Sequence, residues 1–361
     1  RAMLHAGSIA KFGTVQLDGI VGIDPAKAND YLKASYDASN EIIKSNVYSL
    51  FKKYTDKAQN FEQLFIELQG NPEAIFCKGY NYAATTHSHS QDLMVLPYII
   101  RSPNGYGGRL SPTVDMVEKF GNIDGTPGIL NVGTTSSFVH YPTPQDLFKN
   151  KDPRFFGSVI TTYSTFKGAQ VTGLNGVIYQ GKTYYGNTLN QYFDIPSKSI
   201  VSAPTANSVP ATGNSNENNA PQLFWLKKWT DPNTDRSLIH DWSSRTDYMD
   251  MRYGEVLLNF AEASFELGNP PAEALDAVNQ IRDRAGVAPL STVDRNAIRN
   301  ERNVELAWEN KTFWDLKRWR TLTKEFNLWT PTTLYMYYDI DTRDYVFEKR
   351  PQGGSKTYQD K

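Results

Sequence analysis

Aromatic and amide side chains occur together in two stretches of the middle of the chain, in a pattern suited to holding sugar rings. A tyrosine ring packs against the apolar C–H face of a sugar, and an amide exchanges hydrogen bonds with its hydroxyl groups. The first stretch contains Tyr80, Tyr82, Tyr98 and Tyr106. The second contains Tyr184, Tyr185, Asn187, Asn190, Gln191, Tyr192 and Phe193. Anchoring of loops to the protein body is the alternative role for the same rings.

Hydrolysis of a glycosidic bond would need two carboxyl groups about 5–10 Å apart across a cleft. The loops in the middle of the chain offer few candidates for this role, namely Asp92, Asp115, Asp124 and Asp194, and none stands in a recognisable hydrolase setting. A serine or cysteine nucleophile with its partners is not discernible either. We therefore predict that the protein is not an enzyme.

Three short motifs resemble ion or phosphate sites without completing them. His87-Ser88-His89 offers two ligands and no third ligand close by. The stretch from Asp231 to Asp235 resembles the start of a calcium loop, but Arg236 and Trp242 stand where that loop requires glycine and glutamate. A phosphate-binding loop directly follows a strand, whereas no clear strand precedes the glycines at 105, 107 and 108. The sequence therefore predicts no metal and no cofactor.

The charge balance gives the protein no general attraction to polyanions. Lysine and arginine number 38 against 39 acidic residues, which leaves a formal net charge of −1 over 361 residues. This balance argues against nucleic acid or anionic lipid as a partner. No stretch approaches the roughly 18–20 apolar residues of a membrane-spanning helix. Cys77 is the single cysteine, so an internal disulfide is excluded.

Helical periodicity is confined to the two ends of the chain. The first 12 residues and those after Asp24-Pro25 read as a helix pair, in which Ala28, Ser35 and Ala38 would allow close approach. Helices are also predicted over 248–267, 272–285, 294–309 and 311–321, while 334–338 reads as extended. Regular periodicity mostly vanishes between 70 and 246. We therefore predict three regions, an N-terminal helical hairpin over 1–69, a loop-rich ligand-binding region over 70–246 and a C-terminal helical region over 247–361.

Three consecutive blocks near the C-terminus resemble motifs of the SusD/RagB family. Residues 251–263 (MRYGEVLLNFAEA) are similar to its "RYxEvxLxxAEA" helix, and residues 274–286 (ALDAVNQIRDRAG) to its "eAlexiNxvRxRAG" stretch. Residues 298–310 and 313–319 are similar to "IxxERxxELxxEG" and "RwxDLxRW". Asn310 stands where the family usually has glycine. The lipoprotein signal, lipidated cysteine and N-terminal helical region of the family are not visible, so we expect an upstream portion to be absent.

The resemblance implies a mainly α fold. Tetratricopeptide-like hairpins would form a right-handed superhelix, with a long irregular loop-rich region and a few short strands. The charged residues of the family blocks would then form ion pairs between packed helices: Glu255, Glu262, Glu301, Arg302, Glu305, Asp315 and Arg318.

The resemblance also implies a non-catalytic, cell-surface lipoprotein of the outer membrane of a Bacteroidota-type bacterium. It would bind an oligosaccharide or polysaccharide and deliver it to a SusC-like TonB-dependent transporter, with attachment through the absent N-terminal lipid anchor. The candidate glycan-binding residues are Tyr80, Tyr82, Tyr106, Tyr184, Tyr185, Asn187, Asn190 and Tyr192. Two alternatives stay open, a peptide-binding member of the same family and a tetratricopeptide-like scaffold that binds only a protein partner.

Overall fold

The computed structural model describes residues 1–17, 20–80, 88–101, 108, 110–205 and 223–352. Within them the helices are α1 (Ala2–Phe12), α2 (Ala28–Ser45), α3 (Lys57–Leu64), α4 (Gln91–Val95), α5 (Val114–Lys119), α6 (Pro153–Ser158), α7 (Tyr253–Leu267), α8 (Pro271–Ala285), α9 (Arg295–Glu305), α10 (Thr312–Arg318) and α11 (Leu322–Phe326). Helix α1 packs against α2, α2 against α7, and α7 against both α8 and α9. The predicted helical hairpins are therefore present.

Local sequence explains how these helices approach and end. A Cβ atom on Gly7 would lie 2.8 Å from Cγ of Leu32, so the crossing of α1 and α2 requires glycine there. Ala28 and Ser35 are buried in this contact as predicted, whereas Ala38 is exposed and Ser39 occupies the buried position. Helices α7 and α8 both end at glycines in the left-handed conformation, Gly268 and Gly286.

The strands are β1 (Ala74–Lys78), β2 (Gly133–Thr134), β3 (Ser137–Phe138), β4 (His140–Tyr141), β5 (Val159–Thr161), β6 (Thr165–Phe166), β7 (Ala169–Gln170), β8 (Gly176–Tyr179), β9 (Lys182–Tyr185), β10 (Gln191–Asp194), β11 (Ser199–Ser202), β12 (Phe224–Leu226), β13 (Tyr248–Arg252), β14 (Thr332–Asp339) and β15 (Asp344–Pro351). A five-stranded sheet has the order β4-β15-β14-β8-β9, with β14 and β8 parallel and the other neighbours antiparallel. Alternation along β14 and β15 gives this sheet two different faces. The inner face, which includes Met336 and Phe347, joins the largest hydrophobic core together with α5 and α6. The outer face carries a smaller cluster around Ile178, Tyr337 and Val346.

The strand content exceeds the prediction of a mainly α fold with a few short strands. Helix accounts for 38% and strand for 20% of the structure, so the fold is mixed. Residues 248–252, predicted as the first turn of a helix, form β13, which pairs antiparallel with β1. The physical reason is the burial of the Arg252 side chain, which reaches Glu73 at 2.5 Å and Glu305 at 2.6 Å from its Nη1 atom. The three-region division and the right-handed sense of the helix stack stay predictions.

A buried ionic network lies where β13, α6, α8 and α9 meet. Its members are Glu73, Arg154, Arg252, Arg284, Glu301, Glu305 and Glu309, each of which is almost completely buried. Burial by itself would raise the pKa of Glu305. The charges of Arg284, Arg252 and Arg154 outweigh this effect and hold that pKa well below its usual range. The other charged residues of the family blocks also form ion pairs: Glu255 with Arg1, Glu262 with Arg318, and Arg302 with Asp315. This agrees with what the resemblance implied.

Candidate ligand-binding site

The candidate residues of the first aromatic stretch are only partly described by the structure. Tyr82 and Tyr106 lie outside the described residues. Tyr80 is half-buried, its backbone N–H donates to Oδ1 of Asp247 at 2.7 Å, and its ring centroid lies 4.6 Å from that of His89. Tyr98, also half-buried, lies in a short helical turn with the Arg101 guanidinium 5.4 Å from its ring centroid. The described rings of this stretch therefore contact their own neighbours.

The candidates of the second stretch are divided between the two faces of the five-stranded sheet. Strands β8 and β9 form a hairpin in which Tyr184 pairs with Val177 and Tyr185 with Gly176. Tyr184, like Val177, packs against the large inner core, and Tyr192 on β10 also packs there. Asn187 and Asn190 are exposed in the connection between β9 and β10. Tyr185 lies on the opposite, outer face, where its side chain is 43% exposed.

Tyr185 is joined on the outer face by residues of the C-terminal hairpin. We call the group formed by Tyr185, Tyr335, Tyr337, Glu348 and Arg350 the tyrosine platform. The Tyr185 and Tyr337 rings meet edge to face with centroids 6.0 Å apart, and Tyr335 stacks on Tyr337 at 6.4 Å. The Arg350 guanidinium lies 4.6 Å from the Tyr335 ring centroid and 5.2 Å from that of Tyr185. Residues of β9, β14 and β15 therefore meet in one group, in which Tyr185 is exposed, Tyr335 is half-buried and Tyr337 is buried beneath them.

Hydrogen bonds fix the polar groups of the tyrosine platform. Arg350 donates from Nη2 to the Tyr185 hydroxyl at 3.0 Å and pairs with Glu348 at 2.8 Å. The Tyr337 hydroxyl donates to Glu348 at 3.2 Å. The hydrogen bond to Glu348 raises the pKa of Arg350, and burial raises the pKa of both Tyr335 and Tyr337. The guanidinium stays charged and the phenols stay protonated at neutral pH, so the surface offers donors beside an apolar ring.

Such a surface can bind a sugar without reacting with it. The exposed Tyr185 ring offers a face for C–H contacts, and Arg350, itself partly exposed, offers N–H donors to hydroxyl groups at its edge. The sequence indicated Tyr185 but not its neighbours, because strand pairing between residues 176–185 and 332–351 decides which rings meet. Alternation of Tyr335 and Tyr337 along an extended segment was the available signal that these two rings share a face.

The described residues form neither a metal site nor a membrane-spanning helix. No group of three or more His, Cys, Asp or Glu side chains there is placed to hold a metal ion. His87 lies outside the described residues, and Nε2 of His89 is 3.0 Å from the carbonyl oxygen of Thr246. Asp231 accepts from the N–H of Asn233 at 2.9 Å in a turn. Among the described helices, none has the length and apolar character needed to cross a bilayer.

Comparison with known proteins places this geometry in a family. The model of the SusD family matches residues 72–358. A curated relative, SusD-like protein P2 of Formosa agariphila, is 41% identical over an alignment of 87 residues, and the match covers 21% of this chain and 17% of that protein. The match spans less than a fifth of the relative's length.

Solved structures show the same fold at low sequence identity. A SusD-like protein from Bacteroides fragilis superposes with a TM-score of 0.61 at 20% identity, over 92% of this chain and 59% of that one. A SusD-like carbohydrate-binding protein from the same species gives 0.58 at 19% identity, over 91% and 58%. Since the family model covers most of its residues, the chain belongs to the SusD family, whose members are non-catalytic binding proteins.

Proposed function

We propose that the protein binds oligosaccharides at the bacterial cell surface and delivers them to a SusC-like TonB-dependent transporter in the outer membrane. In this proposal it is an outer-membrane lipoprotein of a Bacteroidota-type bacterium. Its helices stack as tetratricopeptide-like hairpins in a right-handed superhelix. The name of the Bacteroides fragilis neighbour, a carbohydrate-binding protein, supports a sugar as the ligand.

The tyrosine platform is the observation that carries the proposal. Tyr185 presents an exposed ring, and Arg350 presents N–H groups whose direction is set by Glu348 and by the Tyr185 hydroxyl. A ring beside oriented donors suits a ligand with one apolar and one polar aspect, which is the character of a pyranose. Of the candidate residues named from the sequence, we assign Tyr185 to direct contact, with Asn187 and Asn190 close by in the chain.

Calorimetric titration with a panel of neutral hexasaccharides built from glucose, mannose, galactose or xylose tests the proposal. We expect at least one of them to bind, and both Tyr185→Ala and Arg350→Met to weaken that binding by about tenfold or more, which corresponds to about 1.4 kcal/mol. Trp242→Ala is the matched control, because Trp242 is an exposed aromatic residue outside the tyrosine platform.

Peptides titrated in parallel separate the sugar from the alternative ligand. Binding of a mixed casein-peptide digest, without binding of any hexasaccharide, would replace the sugar by a peptide. Affinity for neither class would favour the protein-interaction scaffold. Hexasaccharide binding that is unchanged in Tyr185→Ala and Arg350→Met would remove the tyrosine platform from the proposal.

A further inference from the structure

We propose that a cleft between α5 and α9 is a second saccharide site, separate from the tyrosine platform. The cleft has a volume of about 810 Å³ and is bounded by α5, the loop 121–129, α9 and α11. That volume lies within the range of about 300–1,000 Å³ typical of small-molecule sites. We call this site the α5–α9 cleft. The class of its ligand rests on the function proposed above, whereas its position and chemistry are independent of the tyrosine platform.

The walls of the α5–α9 cleft are held in place before any ligand arrives. The buried ammonium of Lys151 donates to the carbonyl oxygens of Val117 at 3.0 Å and Phe120 at 2.9 Å, and also to that of Gly128. It thereby ties the end of α5 to the loop opposite. The N–H of Ala288 donates to the carbonyl of Ile123 at 2.9 Å, which joins the same loop to the segment after α8. A preformed cleft loses little entropy when it is filled.

One wall of the α5–α9 cleft is aromatic and oriented. Trp329 and Phe326 meet edge to face with centroids 5.2 Å apart, and both are half-buried in the lining. Oδ2 of Asp115 accepts from the N–H of Thr332 at 2.8 Å, and its Oδ1 lies 3.4 Å from Nε1 of Trp329. This carboxylate fixes the indole at the point where the chain enters β14. Indole is the largest aromatic surface that a protein can offer to a sugar ring.

Opposite this wall, α9 contributes amides. Asn300 and Asn303 are three residues apart, lie on the same side of the helix and both line the cleft. The Oδ1 atom of Asn303 is buried and accepts no hydrogen bond within the described part of the chain. A buried acceptor without a donor is costly, and rotation of the Asn303 amide toward a ligand hydroxyl in the cleft would relieve that cost. An aromatic wall beside amides suits a sugar, as the aromatic rings beside the Arg350 guanidinium do in the tyrosine platform.

Charge in the α5–α9 cleft favours a neutral ligand. The floor contains Asp152, Arg154, Arg282 and Glu301, all joined by ion pairs to one another. Near the mouth Glu118 pairs with Lys349, which leaves the lining acids Asp115 and Glu325 against the lining cation Lys119. An anionic ligand would meet at least as much negative as positive charge there, so a neutral oligosaccharide fits better than a uronate.

The five-stranded sheet separates the two surfaces. Glu118 reaches Lys349, whose neighbour Arg350 points to the outer face, because successive residues of a strand alternate. Helix α5 joins the inner-face core through Val114 and Val117. One oligosaccharide bound on the tyrosine platform therefore does not fill the α5–α9 cleft.

Fluorine NMR of the protein labelled with 5-fluorotryptophan tests this inference. Trp329→Phe assigns the resonance of Trp329, and the hexasaccharides used above serve as probes, with hexamers of galacturonic acid for comparison. We expect a neutral hexasaccharide to shift the Trp329 resonance, in Tyr185→Ala as well as in the unmutated protein. In Asn303→Ala we expect the half-maximal shift to require about ten times more hexasaccharide. Asn296→Ala, on the same helix and outside the lining, is the control.

The possible outcomes distinguish this inference from the proposed function. A Trp329 resonance that stays in place while hexasaccharide binds in a Tyr185-dependent way would overturn the second site and leave the proposed function standing. A shift produced only by galacturonate would overturn the assignment to a neutral sugar. If no hexasaccharide binds by calorimetry or NMR, both proposals fall together. A shift that survives Tyr185→Ala and is weakened by Asn303→Ala would support the second site.

Discussion

Replacing Glu305 by glutamine should remove a large part of the stability of this protein. The Glu305 side chain is completely buried and meets three arginines. It accepts from Arg252 at 2.6 Å, from Arg154 at 2.9 Å and from Arg284. Glu305→Gln keeps the volume and one acceptor oxygen, but it removes the charge and turns an NH₂ group toward guanidinium donors. The variant therefore isolates the electrostatic contribution from the packing contribution.

The loss of unfolding free energy in Glu305→Gln depends on how well the three arginines remain paired. Removing one partner of a buried ion pair typically costs about 3–5 kcal/mol, since the other charge stays buried without compensation. Arg154 keeps Asp152 and Glu301, and Arg252 keeps Glu73 and Glu309. Their losses are thus partial, and we expect the cost to stay within the same range of about 3–5 kcal/mol. Native domains are stable by only about 5–15 kcal/mol, so this is a substantial fraction.

Urea unfolding at pH 7 measures the free energy of unfolding of both proteins. The matched control is Glu41→Gln, an exposed position on α2, which should change the free energy by less than about 0.5 kcal/mol. The pKa of Glu305 is lowered in the folded protein, so its contribution is complete above about pH 5 and is lost as pH falls. The difference between the wild type and Glu305→Gln should therefore shrink in acid. A cost below about 1 kcal/mol at pH 7, or a difference that does not depend on pH, would refute this account of the ionic network.

Three further substitutions probe burial and close approach. Burial raises the pKa of Asp92 from 3.8 to about 6, so the carboxyl group costs stability progressively as pH rises from about 4 to about 6. Asp92→Asn should therefore stabilise by about 2 kcal/mol at pH 7 in urea unfolding and by much less at pH 4. Gly7→Ala places a Cβ atom 2.8 Å from Cγ of Leu32 and should cost about 1–3 kcal/mol, with a lower melting temperature. Gly128→Ala places a Cβ atom 1.8 Å from the carbonyl oxygen of Phe120, so the loop and the end of α5 must move apart. This change should lower the stability and reduce the hexasaccharide-induced shift of the Trp329 resonance. Gly79→Ala is the control, because the nearest atom to its Cβ would be 3.9 Å away. It should change neither the stability nor the Trp329 shift.

Local sequence was sufficient to predict that α7, α8, α9 and α10 are helices, but not where all of them begin and end, nor the partners of the strands. Cap residues and helical periodicity defined α8, which begins at Pro271 and ends before Gly286, within one residue of the predicted bounds. The start of α7 was predicted five residues too early, at 248 instead of Tyr253. Nothing local to these five residues marks them as a strand. They are extended because Arg252 must reach Glu73, which is far away in the chain and unknown until β1 is placed.

The same limit applies to the tyrosine platform. Tyr184 and Tyr185 are adjacent and identical in type, so composition assigned them one role, but the pleat places them on opposite faces of the sheet. Which of them faces solvent depends on the register of β9 with β8, and on which face of the sheet α5 covers. The contribution of Arg350 depends on a hairpin that begins almost 150 residues further along the chain, at Thr332. Such long-range pairings leave no trace in periodicity.

Glu305 and Glu309 also show why buried acidic residues in a protein of the SusD family need not act as catalytic acids. A general acid must carry its proton near neutral pH, so its pKa has to be raised. Burial by itself would raise the pKa of Glu309, as it would that of Glu305. The charges of Arg252 and Lys228 reverse this effect and hold the pKa of Glu309 below its ordinary value. Both carboxylates are therefore ionised and bonded to cations, and neither can protonate a glycosidic oxygen. Their negative charge is used instead to hold β13, α6, α8 and α9 together beneath the surfaces that we propose bind sugar.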